Sequence, residues 1–310
     1  MGTFSISGGE GFDRIVEADL HAICVQLKNP HVEAIILVGA PARGEGTPFE
    51  GKPFNDYDIV VIAREKIKLE PIRLYLPVEI SVKTRDELAS APCTLFNYEM
   101  RYGHKIIFGP ENILDIMPPW KKEDIPLLEG TRLLVNRGSL HLLDENFKYL
   151  MKLVLSMGDA SYLAMKCHEI SYQEKLSSFR QNSKSWSIPG ADFLSSLYEK
   201  AIRFKLYGQK PLLAIDEWAT TLRYFEQFAL WYEGIRLEKT FETLEEYEYT
   251  LRKSPFSLYN IAQNLLYFRS LRNSSAPVAA KLLLRLLFLA RGDSTSMSKE
   301  HYLAIWRRYA

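Results

Sequence analysis

The chain has 310 residues, 47% of them hydrophobic and 25% charged, with a formal net charge of +1. This is the composition of an ordinary soluble globular protein, and the near-neutral balance excludes a broad nucleic-acid footprint, leaving room only for a local basic cleft. Three widely spaced cysteines (Cys24, Cys93 and Cys167) without a CxxC pair exclude a disulfide framework or zinc ribbon and fit a reducing compartment.

In chain order, the N-terminal stretch MGTFSISGGEGF lacks the basic segment and apolar run of a secretory signal, and Ile6 stands where a myristoylation pattern wants Ser or Thr. Phe12, Val16, Leu20, Ile23 and Leu27 then form one stripe at helical spacing, and Asn29-Pro30 ends that helix. Val32–Val38 reads as a buried strand, Asp56–Ala63 as a second, and Leu74–Lys83 as a third, which Pro77 either delays or confines to a sheet edge. A helix over Arg85–Met100 is interrupted by Pro92, and Ile106–Phe108 makes a short strand closed by Gly109-Pro110. Beyond about residue 125 the strand signals fade. Helices are predicted over 127–143, 145–158, 160–180, 189–206, 212–238, 242–252, 255–271, 276–291 and 297–309. The expected architecture is a small α+β domain over 1–120, a mixed sheet with flanking helices, followed by an all-helical domain over 121–310. The most apolar run, Val278–Ala290, is three to four turns long and contains Lys281 and Arg285, so no membrane span is expected. The aromatic residues from Trp218 to Tyr232 are expected to serve core or interdomain packing, with nucleobase stacking as the alternative.

The chemistry concentrates between Leu37 and Ile62. Gly39 follows the first strand directly, and Ala42-Arg43-Gly44-Glu45-Gly46 comes soon after. Glycine removes the side chain that would keep backbone N–H groups from phosphate oxygens. The loop is neither a Walker A sequence nor GxGxxG. On the second strand Asp56 and Asp58 share one face, with Cα atoms roughly 6.5–7 Å apart. Glu79 lies on the polar face of the third strand, so three acids are expected to converge beside the glycine turn. Such a set suits Mg²⁺, which takes oxygen ligands shared between one or two carboxylates and substrate phosphates. The residues leave other readings open: the aspartates as a solvated strand start, Asp86 or Glu87 as the third acid, and Arg43 with Glu45 as a local ion pair. Lys83 and Lys105 either reach a triphosphate or stay on the surface.

Gly39-Ala40, Asp56-Tyr57-Asp58 and Glu79 together resemble the nucleotidyltransferases of the DNA polymerase β-like superfamily, whose pattern is strand, Gly-Gly or Gly-Ser, loop, Asp-h-Asp, then a third carboxylate. Ala42-Arg43-Gly44-Glu45 and Asn55-Asp56-Tyr57-Asp58 are similar to the minimal nucleotidyltransferases and to a bacterial group reading roughly Gly-Arg-Gly-Glu-Gly then Asn-Asp-Tyr-Asp. Arg101–Gly109 resembles the Tyr-Gly…Gly stretch after the third acid in that group. The resemblance spans about residues 10–115. It implies transfer of a nucleoside monophosphate from an NTP co-substrate to an unidentified acceptor hydroxyl, on a small molecule or a protein, with a two-ion Mg²⁺ site held by Asp56, Asp58 and Glu79. Gly39, Ala40, Arg43, Gly44 and Glu45 would form the nucleotide-binding loop. The alternative is a catalytically degenerate version acting as a nucleotide-binding or antitoxin-like interaction module. The expected partners are a nucleotide, the acceptor, and a protein partner or second copy, with neither membrane nor nucleic acid, in the cytoplasm. Four departures stand out: Ala40 lacks the serine hydroxyl of the pattern, Pro41 removes one loop N–H, sixteen residues separate Gly39 from Asp56, the excess Thr47–Pro53 reading as an extra turn, and the third acid is Glu where Asp is commoner. Arg137–His141 approaches the Arg-x4–6-His motif of helical nucleases, but its spacing of three does not match.

Overall fold

Two runs of apolar residues, Val32–Val38 (β1) and Tyr57–Ala63 (β4), are buried on both faces and form the centre of a four-stranded sheet. In the computed structural model, which describes residues 2–54, 56–144, 146–210, 217–268, 275–293 and 297–309, this sheet runs β5-β4-β1-β6. The edges are β5 (Val78–Thr84) and β6 (Lys105–Phe108). β1 is antiparallel to β4 and β6, whereas β4 and β5 are parallel. Pro77 does both things expected of it, since β5 begins only at Val78 and lies at an edge.

The two faces follow the alternation of the strands. Ile35, Leu37, Tyr57, Ile59 and Val61 pack with Phe12, Val16, Leu20, Ile23 and Leu27 of helix α1 (Gly9–Leu27), and Val78, Ile80 and Val82 join them. Ala34, Ile36, Val38, Val60 and Ile62 pack on the other face with Leu88, Met100, Ile113, Leu114 and Met117. Leu88 belongs to α2 (Arg85–Ala89) and Met100 to α3 (Leu95–Tyr102), so Pro92 divides the predicted 85–100 helix in two. The extra turn over Thr47–Pro53 is a hairpin, with β2 (Pro48–Phe49) paired to β3 (Lys52–Pro53). Its two turn residues, Glu50 and Gly51, both have positive φ, as a tight hairpin turn requires.

The chain resolves into two compact units. One comprises Met1–Ile125, Glu169–Ser178 and Ile202–Pro211; the other comprises Pro126–His168, Phe179–Ala201 and Leu212–Ala310. The remaining helices are α4 (Leu128–Gly138), α5 (Phe147–Ala164), α6 (Tyr172–Ser185), α7 (Ala191–Tyr207), α8 (Glu217–Leu237), α9 (Leu244–Arg252), α10 (Leu258–Phe268), α11 (Val278–Ala290) and α12 (Lys299–Tyr309). Asn55, Glu145, residues 212–216 of the predicted 212–238 helix and 269–271 of the predicted 255–271 helix lie outside the described residues.

The predicted break near 158–160 does not occur, because α5 runs through Gly158 to Ala164. That glycine serves packing: a Cβ on it would overlap the ring of Tyr198, whose hydroxyl donates to Asp159 at 2.7 Å. The predicted 160–180 helix instead begins at Tyr172. Ser171 caps it, its Oγ accepting from the N–H of Glu174 at 3.3 Å. Ser171-Tyr172-Gln173-Glu174 carries the S-x-x-E signature of such a start. Of the α8 aromatics, Tyr224, Phe225, Phe228 and Tyr232 are buried, as a core stripe should be. No helix among the described residues is long and apolar enough to cross a membrane.

Behind β4, the buried Tyr57 hydroxyl donates to Asp19 of α1 at 2.8 Å. Burial first, then the Asp19 carboxylate, pushes that phenol far above its ordinary pKa. Tyr57→Phe removes one of two phenol partners of Asp19, itself only 8% exposed, and leaves Tyr75 as the other; it is expected to destabilise the chain by about 1 kcal/mol in urea unfolding. An unchanged midpoint would mean that Tyr75 or water replaces the bond.

His141 is buried, with its Nδ1–H donating to the Gly138 carbonyl and Nε2 lacking a partner among the described residues. Desolvation holds its pKa below the ordinary 6.5, Gly138 opposing and Lys299 adding to the effect. Below the ordinary value the unfolded chain binds a proton that the folded chain resists, so stability falls as pH drops. His141→Gln is expected to flatten the decline of the urea midpoint between about pH 7 and pH 5. An identical slope in both proteins would contradict this.

Candidate functional site

β1 ends where β4 and β5 begin, and that end of the sheet gathers the acids. The parallel register sets Asp58 directly opposite Glu79, while Val38, the last residue of β1, pairs with Asp58 on its other side. Asp56 lies one residue before β4 and shares the Asp58 face. One carboxylate oxygen from each of Asp56, Asp58 and Glu79 lies within 4.8 Å of the others; the aspartates are half-buried and Glu79 is exposed. Among the described residues this is the one acidic, His or Cys group with metal-ligand spacing. The other candidates for a third acid are placed differently. Glu87 closes a capping box with Thr84 at the start of α2 and pairs with Lys66 at 2.6 Å, with Lys66 the main cause of its lowered pKa. Asp86 sits in the first turn of the same helix.

Gly39 is the neighbour that makes room for this group. Its φ is +78°, and a Cβ built on it would stand 3.0 Å from Oδ2 of Asp58. Any L-residue would therefore be strained and would fill the space beside the carboxylate. Three carboxylates this close repel one another unless a cation or proton intervenes. An all-oxygen donor set of two or three carboxylates with space beside it is what a hard divalent cation takes, so the residues fit Mg²⁺.

The rest of the predicted loop is engaged in holding itself and its surroundings. Ala40 is buried, and its carbonyl accepts from the N–H groups of Arg43 at 3.1 Å and Glu45 at 2.9 Å. Pro41–Arg43 forms a single 3-10 turn, capped by Gly44 at φ +74°. Gly46 N–H donates to the Phe4 carbonyl at 2.8 Å. The local ion pair left open by the sequence is present: Arg43 Nε lies 3.5 Å from Glu45, and Arg43 Nη1 lies 3.7 Å from Glu99 of α3. Glu45 is 3% exposed, and its Oε1 accepts from Ser171 Oγ at 2.8 Å and from the Gln173 N–H at 3.1 Å. A buried carboxylate thus ties the loop to the N-terminus of α6, where exposed N–H groups and the helix dipole favour an anion.

Glu99, Ser171 and Gln173 escaped the sequence reading. The capping signature at 171–174 could have marked Ser171, but no local signal links it to a glutamate 126 residues earlier. Of the two lysines considered, Lys105 places its Nζ 4.1 Å from the centre of the Phe4 ring, and Lys83 follows Glu79 and Ser81 on the acidic face of β5.

No protein-family model matches the chain, and neither does any curated protein sequence. Among solved structures it is similar to the spectinomycin adenyltransferase AAD(9) from Enterococcus faecialis, determined with ATP and spectinomycin, at 15% identity and a TM-score of 0.44. The match covers 70% of this chain and 99% of the other. A likeness of that size bears on neither activity nor ligand, so the functional reading rests on the site itself.

Removing Glu45 would leave Arg43, whose side chain is 10% exposed, with the longer contact to Glu99 as its one ion pair among the described residues. Glu45→Ala is expected to lower unfolding free energy by about 3–5 kcal/mol, whereas Arg43→Met combined with Glu45→Leu recovers most of the loss. Urea unfolding of both proteins measures this. A harmless single variant would show that the ion pair holds nothing in place.

Proposed function

We propose that the sheet unit is a nucleotidyltransferase site, in which Asp56, Asp58 and Glu79 hold Mg²⁺ and an NTP bound by the Gly39-Ala40 backbone donates its nucleoside monophosphate to an acceptor hydroxyl. The observation that carries this is the Asp58–Glu79 register, which brings the three carboxylates within 4.8 Å beside a residue that must be glycine. The Asp-h-Asp and glycine-turn resemblance supports the same reading. In the reaction a bond forms from the acceptor oxygen to the α-phosphorus, the bond to the departing pyrophosphate breaks, and the hydroxyl proton passes to a base. Glu79, the exposed member of the group, is the carboxylate assigned to receive that proton. Asp58 on β4 and Asp56 just before it are assigned to hold the metal together with Glu79. The bound metal would supply charge neutralisation for the phosphates as charge develops on the oxygens. The degenerate binding-module reading draws on Ala40, which has no hydroxyl, and differs in predicting nucleotide binding without turnover.

Mn²⁺ binding by electron paramagnetic resonance and thermal shift with NTP plus Mg²⁺ test the proposal without knowledge of the acceptor. Wild type is expected to bind both, and Asp58→Asn to lose Mn²⁺ binding. Where transfer of labelled nucleotide is detected, it should fall at least about a hundredfold in that variant. Wild type binding neither ligand, or a variant binding both equally well, would overturn the assignment.

A further inference from the structure

Helix α10 (Leu258–Phe268) buries polar side chains and leaves apolar ones exposed. Its asparagines point inward: Asn264 is fully buried and its Nδ2 donates to the Ala276 carbonyl at 2.8 Å, while Asn260 Nδ2 donates to the Ser275 carbonyl at 2.8 Å. Ile261, Tyr267 and Phe268 are half-buried, but a second apolar face points outward. Leu258, Tyr259, Leu265 and Leu266 are 72%, 69%, 46% and 62% exposed, and Phe256 just before them is 76% exposed. With the exposed Ala262, the outer positions 258, 259, 262, 265 and 266 follow the i, i+4, i+7 spacing of one helical face. Nothing charged interrupts the stripe, because α10 contains no Asp, Glu, Lys or Arg.

Isolated exposed apolar residues are normal, but a contiguous stripe is the mark of an interaction surface. Its details select the occupant. Ala262 leaves a notch between Leu258 and Tyr259 on one side and Leu265 and Leu266 on the other, a shape that receives a side chain from a facing helix. The ends of the stripe are basic: Lys253 is exposed ahead of it, and exposed Arg308 reaches the last turn, donating to the Tyr267 carbonyl at 2.9 Å, with Arg307 beside it. A two-fold copy of this chain would set these cations against one another, whether the helices met parallel or antiparallel. We infer that α10 is a docking site for one amphipathic helix of a different protein, carrying an apolar stripe flanked by Asp or Glu, in the helix-on-groove mode. This stands whether or not the sheet unit transfers nucleotides.

The test places a benzoylphenylalanine photo-crosslinker at position 262 of the full chain, with position 246 as an exposed control on α9, and maps the products formed in an extract of the source cells. A fluorescent synthetic peptide of the captured segment is then titrated against purified chain. The expected segment has apolar residues at i, i+3 or i+4, and i+7 with acidic flanks. Its binding should weaken at least tenfold in Leu265→Ser/Leu266→Ser and several-fold in Lys253→Glu/Arg307→Glu, while both variants keep the wild-type melting temperature. Crosslinks to a second copy with concentration-dependent dimerisation would overturn the inference. So would co-sedimentation with phosphatidylserine vesicles that the leucine variant abolishes, no capture above the control position, or peptide binding indifferent to the leucine pair.

Discussion

Asp58 stands opposite Glu79 in a parallel strand pair, and two carboxylates so placed repel. At an effective dielectric constant of about 20, unit charges about 5 Å apart oppose each other by about 3 kcal/mol. What holds the register against that force lies on the reverse of the same strands, where Tyr57, Ile59, Val61, Val78, Ile80 and Val82 pack against α1. Each buried aliphatic side chain contributes about 1.5–3 kcal/mol, so the packed face outweighs the repulsion on the other. A slip of one residue would turn the acids toward α1 and the apolar residues toward the opposite face. The Tyr57–Asp19 hydrogen bond pins this choice at the first residue of β4, between the two aspartates.

The loop after β1 meets two demands at once. At Gly39 it must stay clear of the Asp58 carboxylate, which a positive φ and the missing Cβ allow. Six residues later it must be anchored, and Glu45 does so from a buried position by accepting from Ser171 and Gln173 while facing Arg43. A buried carboxylate is tolerated here because donors and a cation surround it, which is the condition for burying charge at all. Arg43 and Glu45 therefore shape the loop through contacts made inside the unit, whatever phosphate binding the backbone of Gly39 and Ala40 provides.

The helical unit applies the same rule in its interior. Glu233, fully buried, accepts from Tyr247 at 2.7 Å and from Arg236 at 2.9 Å, and it also meets Thr131. Burial, followed by the nearby Glu233 charge, raises the Tyr247 phenol well above its usual range. Polar side chains buried with partners, as at Glu233 and at the α10 asparagines, specify how helices seat. The two cases differ on the outside, for among the described helices α10 alone turns an uncharged leucine face to solvent.

Period-2 and period-3.6 patterning exposed the sheet strands, the face of α1 and the shared side of Asp56 and Asp58, because those features follow from neighbours a few residues apart. The two-residue strands β2 and β3 were too short for any period to register. The expected break at 158–160 falls on Gly158, which sits inside α5 and admits a tyrosine ring; a glycine of that kind looks the same in sequence as one that ends a helix. That Asp56, Asp58 and Glu79 face one another was an expectation until strand order and parallel register put Asp58 beside Glu79. The bond from Glu45 to Ser171 and the outward face of α10 had no local signal. By itself the sequence determined which side chains alternate, cap or break each element, because those are short-range properties of the backbone. Only the tertiary structure decided which carboxylates meet, which charges are neutralised by distant partners, and which side of an amphipathic helix is buried, because each depends on contacts between residues far apart in the chain.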